Sequence, residues 1–309
     1  MAQADATNLS DFSGYLRPDQ AQNYFDIARR SSIVQQLARQ IPMGINGQEF
    51  SYSTSKATAA WTSEAGKKPT TESGIALKSI KPHKIAAISV VSAEVVRANP
   101  GNYMQVLRDD IAEAFAVAFD AAALHGTNSP FGVGQNLDAT TKAVELGTTA
   151  AASGGVYGDL VAGLKELADD GKRLTGFAFD RKVEPTFLGA VDTTGRPLFV
   201  ETPLAETTSA VTPGRLLGRS SVLGEGIATP VVEGPPNTGG IVGYGGDWSK
   251  VVWGAVGGIS YDVSTETAVT IGDELVSLWE HNLVAIRAEA EYGFMIDDAE
   301  AFVKFTDNT

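Results

Sequence analysis

The sequence predicts an α+β chain of two lobes, with an arm and a hairpin that leave them. Three observations carry this. The chain has 309 residues, more than one hydrophobic core ordinarily fills. Two runs with strand-like alternation flank a long polar stretch near residues 59–74. One amphipathic helical pattern of about 22 residues follows, and beyond it the texture turns glycine-rich, with most of the 33 glycines in the second half.

From the N-terminus, residues 1–25 are polar with scattered aromatics, Phe12, Tyr15, Tyr24 and Phe25, and read as an extended arm. Residues 20–39 carry a short helical pattern through Ala21, Tyr24, Phe25, Ala28, Ile33 and Leu37. In EFSYSTS, Phe50, Tyr52 and Thr54 alternate with polar neighbours, the period of a strand. The stretch AAWTSEAGKKPTTESG has neither period. IALKSI and HKIAAISVVS then resume as strands, with Ile85, Ala87, Ser89 and Val91 on one face and Ala86, Ile88 and Val90 on the other. Strands on either side of so long a tip predict an extended hairpin, and loops of that length are usually functional or mobile.

The helix reads YMQVLRDDIAEAFAVAFDAAALHG. Asn99 or Asn102 can cap it, Pro100 suits its first turn, and Gly126 stops it. Tyr103, Leu107, Ile111, Phe115, Ala118 and Ala122 form its predicted inner stripe, with Arg108, Asp109, Glu113 and Asp120 elsewhere. At 1.5 Å per residue it is a strut of roughly 33 Å. TNSPFGVGQNL marks the lobe boundary. A second helix follows, with Leu160, Leu164 and Leu167 inward and Gly171 as its stop. Then come the strand LTGFAFD, a short helix in RKVEPTFLGAV, two or three strands in IVGYGGDWSKVVWGAVGGISYDVST, and a closing strand pair in HNLVAIRAEAEYGFMIDDAEAFVKF.

Composition excludes several functions. The net charge of −13 disfavours a nucleic-acid binder or an anionic-membrane binder, both of which need a basic face. The absence of cysteine removes disulfides, thiolate catalysis and cysteine-ligated zinc. No signal-peptide pattern or membrane-length apolar run is present. His83, His125 and His281 are isolated and read as structural or solvated. The pairs Asp109–Asp110, Asp169–Asp170 and Asp297–Asp298 read as solvated faces, since adjacent helical side chains diverge. Ser53-Thr54-Ser55-Lys56 formally matches S-x-x-K but lies in a strand and lacks its partner motifs. GIVGYGG and GAVGG open no helix and read as turns or close strand packing. No cofactor or metal site is expected.

The order of features is more specific than any one of them. The AAWTSEAGKKPTTESG tip, IKPHKIAAISVVSAEVV, a long helix ending FDAAALHGTNSPFGV, then DTTGRPLF, LLGRSSV, GYGGDWSK and NLVAIRAEAEYGFMIDDAEAFVKF occur in sequence. Together, over roughly residues 20–306, they resemble the tailed-phage major capsid protein family, with the Hong Kong 97 fold. The resemblance implies an N-terminal arm at 1–45 and an extended hairpin, the E-loop, at 46–84. It implies a peripheral domain with the spine helix at 85–129, an axial domain at 130–265, and a returning peripheral segment at 266–309.

The function it implies is self-assembly, through hexamers and pentamers, into an icosahedral head shell around double-stranded DNA. The location is the virion, assembled in the host cytoplasm. The partners are other copies, a separate scaffolding protein (the chain leaves little room for a scaffolding segment before its arm), a portal and a decoration protein. DNA is enclosed without sequence-specific binding, and an acidic lining suits its release. Trp61, Glu64, Lys67, Lys68, Phe12 and Tyr15 are the expected inter-subunit contacts, with Gly47, Gly66 and Gly74 as flexible hinge points of the hairpin. Some members cross-link neighbours by an isopeptide bond; Lys56, Lys67 and Lys68 with Asn282 and Glu289, at either end of the closing strand, are the candidates here. The competing assignment has Asn282 at a strand end and Glu289 paired with Arg287 or Arg97, and is preferred. The rival function within the fold is an encapsulin-type nanocompartment; an enzyme with an unrecognised site stands further off.

Overall fold

The computed structural model describes residues 32–53, 57–64, 67–68, 70–71, 74–98, 103–150, 154–190, 199–201, 212–231, 239–272 and 274–307. The arm residues Phe12 and Tyr15, together with Lys56, Gly66 and the expected helix caps Asn99 and Asn102, lie outside them.

Of the helical pattern predicted over 20–39, residues 20–31 lie outside the described residues, and the rest holds α1, Ile33–Leu37, capped by Ser32. It ends at Ala38, in extended conformation, and gives way to β1, Arg39–Pro42. The spine helix α3, Tyr103–His125, follows α2, Ala93–Ala98, and Gly126 stops it at φ +70°, a left-handed turn that glycine adopts without strain.

Two sheets build the body. In the first, β11 (Val251–Ala255) and β12 (Ser260–Ser264) pair with one edge of the long β15 (Leu283–Ile296), and β4 (His83–Ser92) pairs with the other. β1 joins beyond β11, in parallel. The spine helix covers this sheet. Phe119 sits at the centre, its ring 6.2 Å from Trp253, 5.4 Å from Tyr292 and 6.0 Å from both Phe131 and Phe294. Such tilted and edge-on contacts add to the gain from burial alone.

The second sheet has the order β5-β16-β10-β6-β9-β8-β7. Its strands are β5 (Ala143–Glu145), β6 (Gly176–Asp180), β7 (Phe199–Glu201), β8 (Thr212–Leu216), β9 (Arg219–Gly224), β10 (Gly240–Gly246) and β16 (Phe302–Asp307). The helices α4 (Gly155–Asp169) and α5 (Glu184–Gly189) contribute Leu160, Leu167 and Phe187 to its core, with Phe177, Phe179 and Phe305. The glycine run GIVGYGG is strand β10, every residue of it buried. A Cβ on Gly243 would collide with the Phe179 ring, and one on Gly246 with Phe302. The run exists because aromatic rings lie flat across it.

Sheet membership cuts across chain order: β11 and β12 belong to the first sheet, and the last strand, β16, to the second. Two small hairpins stand apart. One is β2 (Gln48–Ser53) with β3 (Ile75–Ile80); the other is β13 (Ala268–Ile271) with β14 (Glu274–Ser277).

The spine helix departs from its expected stripe. Ala118 is exposed, whereas Arg108 and Asp120 are buried. Asp120 is inside because it anchors α1: its carboxylate accepts from Ser32 Oγ (2.6 Å), Ile33 N (2.8 Å) and Val34 N (3.3 Å). It thereby satisfies orphan N–H groups at a helix start. Two of the acidic pairs expected to be solvated are ion-paired instead. Asp170 meets Lys142, Asp297 meets Lys78 and Lys250, and Asp298 meets Lys172.

Candidate assembly surfaces

The hairpin β2–β3 is built differently at its two ends. At the root, Gly47 has φ +80° and its Cα faces the Ile80 carbonyl so closely that any Cβ would collide with it. Ile80 is buried against Gly293 of β15, where a Cβ would stand 3.0 Å from its Cγ1. Lys78 reaches across to Asp297, its Nζ donating to Oδ1 and to the main-chain oxygen, both at 2.7 Å. Lys250 Nζ holds the other carboxylate oxygen at 2.7 Å. Burial acts to raise the Asp297 carboxyl, but the hydrogen bonds and charges of Lys250 and Lys78 outweigh it and hold the group below the usual range.

Among the described residues, the other end shows no such anchors. Across the tip, the Thr58 N–H donates to Thr71 Oγ1 at 2.8 Å. Trp61 is fully exposed, and Glu64, Lys67 and Lys68 are exposed around it. On β3, Ile75 and Leu77 also face outward. A large apolar side chain left wholly in water marks an interaction site when neighbours repeat the pattern.

The remaining candidates are not gathered into one site. Asn282 occupies a left-handed turn residue, φ +55°, just before β15, and its carbonyl accepts from Ala93 N at 3.0 Å. Glu289 is mid-strand rather than at the strand's end, because β15 runs on to Ile296. Seven residues of strand separate the two by roughly 23 Å. Glu289 meets Lys84 at 3.0 Å and Arg287 at 3.4 Å, and Arg287 continues to Asp262 at 2.6 Å, a charge ladder across β4, β15 and β12.

Sequence reasoning missed three features. One is the Lys78–Asp297–Lys250 clasp, whose signal was a lysine on the inward face of an alternating strand. The second is the pair Leu275 and Trp279, exposed beside the β13–β14 hairpin. The third is an apolar cavity of about 340 Å³ where β4 meets the spine helix, walled by Ile85, Ala118, Phe119, Ala122, Phe131 and Tyr292. Among the described residues no cluster of side chains suits a metal ion, and no helix is long and apolar enough to cross a membrane.

The described residues thus form two sheets braced by one long helix, with a separate hairpin that exposes Trp61, Ile75 and Leu77, the arrangement of a shell-building subunit. The family model of the phage capsid family matches residues 14–307, and the chain belongs to that family. It is 45% identical over 312 residues to "Probable major capsid protein gp17" of Mycobacterium phage D29, covering 99% of this chain and 94% of the relative. Among solved structures, a chain from Mycobacterium phage Adephagia superposes with a TM-score of 0.71 at 18% identity, covering 90% of this chain and 91% of the other. A chain from the capsid of a native GTA particle gives 0.61 at 17% identity, covering 99% and 96%. These likenesses establish the Hong Kong 97 fold that the order of sequence features implied.

Proposed function

We infer that this chain is the major capsid protein of a tailed phage, whose many copies close into the head shell. The observation that carries the reading is the family match over almost the whole chain, joined to a hairpin whose Trp61 is fully exposed. The copies meet as hexamers and pentamers, enclose double-stranded DNA without reading its sequence, and reside in the virion after assembly in the host cytoplasm. A separate scaffolding protein, a portal and a decoration protein complete the set of partners. The arm (1–45), hairpin (46–84), peripheral (85–129 and 266–309) and axial (130–265) segments divide the labour.

Stability of such a shell comes from area and repetition. Obligate interfaces commonly exceed about 2,000 Å², and each copy is held by several neighbours at once. Subunits are joined without covalent bonds in this reading, since Glu289 is engaged by Arg287 and Lys84. Negative-stain microscopy of the purified protein tests the class: closed polyhedral shells or capsomer rings support it, and a monodisperse monomer at high concentration overturns it. A denaturing gel of assembled particles tests the joining. Monomer-size bands alone support it, and a ladder of multiples points to isopeptide bonds at a hairpin lysine and Asn282.

A further inference from the structure

We propose that the apolar cavity beside the spine helix receives Trp61 from the hairpin of a second copy, with that copy's Lys67 and Lys68 lying over Asp110 and Glu113 of the same helix. The proposal rests on the capsid reading and names the surface that the hairpin tip meets.

The cavity has the size and chemistry for an indole. Its volume is about 340 Å³, and Ile85, Ala118, Phe119, Ala122, Phe131 and Tyr292 give it mostly apolar walls, with His83 and Lys84 also in the lining. Phe119 and Phe131 already stand edge-on at 6.0 Å, the arrangement that accepts a further ring. Thr127 and Asn128 at the rim bring oxygen acceptors, which a buried indole N–H requires. Ala118 of the cavity wall is itself exposed, and Val106, Ala114 and Val117 are exposed on the same helix.

Charge sets the direction. Asp110 and Glu113 are exposed on the turns that precede Ala118, roughly 8–12 Å up the helix from it. On the hairpin tip, Lys67 and Lys68 follow Trp61 by six and seven residues and are exposed as well. An aromatic seated at Ala118 therefore leaves two cations free to lie toward two carboxylates. Such pairing gives register more than affinity.

The proposal puts the tryptophan and the cavity on different copies. Its root at Ile80 is only three residues from His83 in the cavity wall, but Trp61 lies eight residues beyond Ser53, the end of β2. At about 3.3 Å per residue, eight residues span at most about 26 Å beyond the end of β2. The Lys78–Asp297 clasp and the Ile80 plug hold that root in place. A knob at one end and a cavity at the other make a head-to-tail contact, the kind that closes into rings. One indole covers roughly 200 Å², well short of a stable interface, so this is one anchor among several.

The chain has no cysteine, which makes disulfide trapping clean. Trp61→Cys with Ala118→Cys, oxidised in assembled particles, should give a ladder of linked copies, and either single variant no ladder. The pocket-filling Ala118→Trp should fold with an unchanged melting temperature and raise the assembly concentration on the order of ten-fold, as expected for blocking an aromatic hot spot. Trp61→Ala should add little to it. Normal shells that stay monomeric on oxidation overturn the pairing and leave the capsid reading intact. So does a bond formed only within one chain, or an Ala118→Cys that traps a cysteine placed at Phe12 or Tyr15 of the arm instead. A chain that never associates overturns both.

Discussion

The root and the tip of the β2–β3 hairpin belong to one element and obey opposite rules. At the root, a left-handed glycine, a buried isoleucine and a two-lysine clasp on Asp297 leave no freedom of direction. At the tip, the described residues show a hydrogen bond from Thr58 to Thr71 and a tryptophan in water. The root spends its residues on position and the tip on contact. A shell subunit needs both, because a contact residue works only if it arrives at the right angle on the neighbour. Changes at the root should therefore register in the isolated subunit, and changes at the tip only among copies.

The largest effect is expected at the root. Gly47→Val forces a β-branched residue into φ +80° and drives its Cβ into the Ile80 carbonyl. Strain of this kind is worth about 1–3 kcal/mol, and the clash adds to it, so a loss of about 3 kcal/mol or more is expected in denaturant unfolding. If Gly47→Val unfolds with wild-type midpoint, the root is not the rigid joint described here.

Asp120 provides a comparable effect with a pH signature. Its burial outweighs the hydrogen bonds from Ser32, Ile33 and Val34, and pushes its carboxyl up from 3.8 to about 6. The folded chain therefore holds this proton more tightly than the unfolded chain. The stabilisation is complete below about pH 4 and fades as pH rises through 6. Two units correspond to about 3 kcal/mol. Between pH 4 and 6, wild-type stability should fall with pH by more than that of Asp120→Asn. Parallel curves for the two proteins would remove Asp120 as the source.

How much of this was legible in the sequence follows from which forces act locally. Strand alternation placed β2, β3 and β4, and the helix stripe with Gly126 placed α3, because period and capping are properties of neighbouring residues. Asp120 and Lys78 were not legible as anchors. Each is a charged residue whose partners, Ser32 and Asp297, lie 88 and 219 positions away. Periodicity assigned Asp120 to an outer face and Ala118 to the inner one, and tertiary contacts reversed both. The GIVGYGG run was legible as close packing but not as a buried strand, since the rings that demand it come from β6 and β16. Trp61 was legible as standing outside the core because it lies in a polar stretch with no period to join. The cavity beside the spine helix was not legible, because its walls come from four separate segments.

At the tip the expected effects are smaller and confined to assembly. Trp61→Ala removes no contact within the subunit, so its melting temperature should match wild type. Its assembly should weaken by about 2 kcal/mol per contact, the scale of an aromatic hot spot. Light scattering against concentration measures this. A variant that melts lower but assembles normally would place Trp61 with the root rather than the tip.

The smallest effect separates the two parts of the tip itself. Lys67 and Lys68 are exposed, and exposed ion pairs are worth about 0–1 kcal/mol each and are screened by salt. Lys67→Ser with Lys68→Ser should slow assembly at low ionic strength and differ little from wild type at high salt. Trp61→Ala should impair assembly at both. The contrast follows from the physics of each contact: charge steers approach over a Debye length, whereas apolar burial acts only on touching and is not weakened by salt. If the double lysine variant is equally impaired at every salt concentration, those lysines hold the interface rather than guide it, and the division of labour at the tip is the reverse of the one drawn from its exposure.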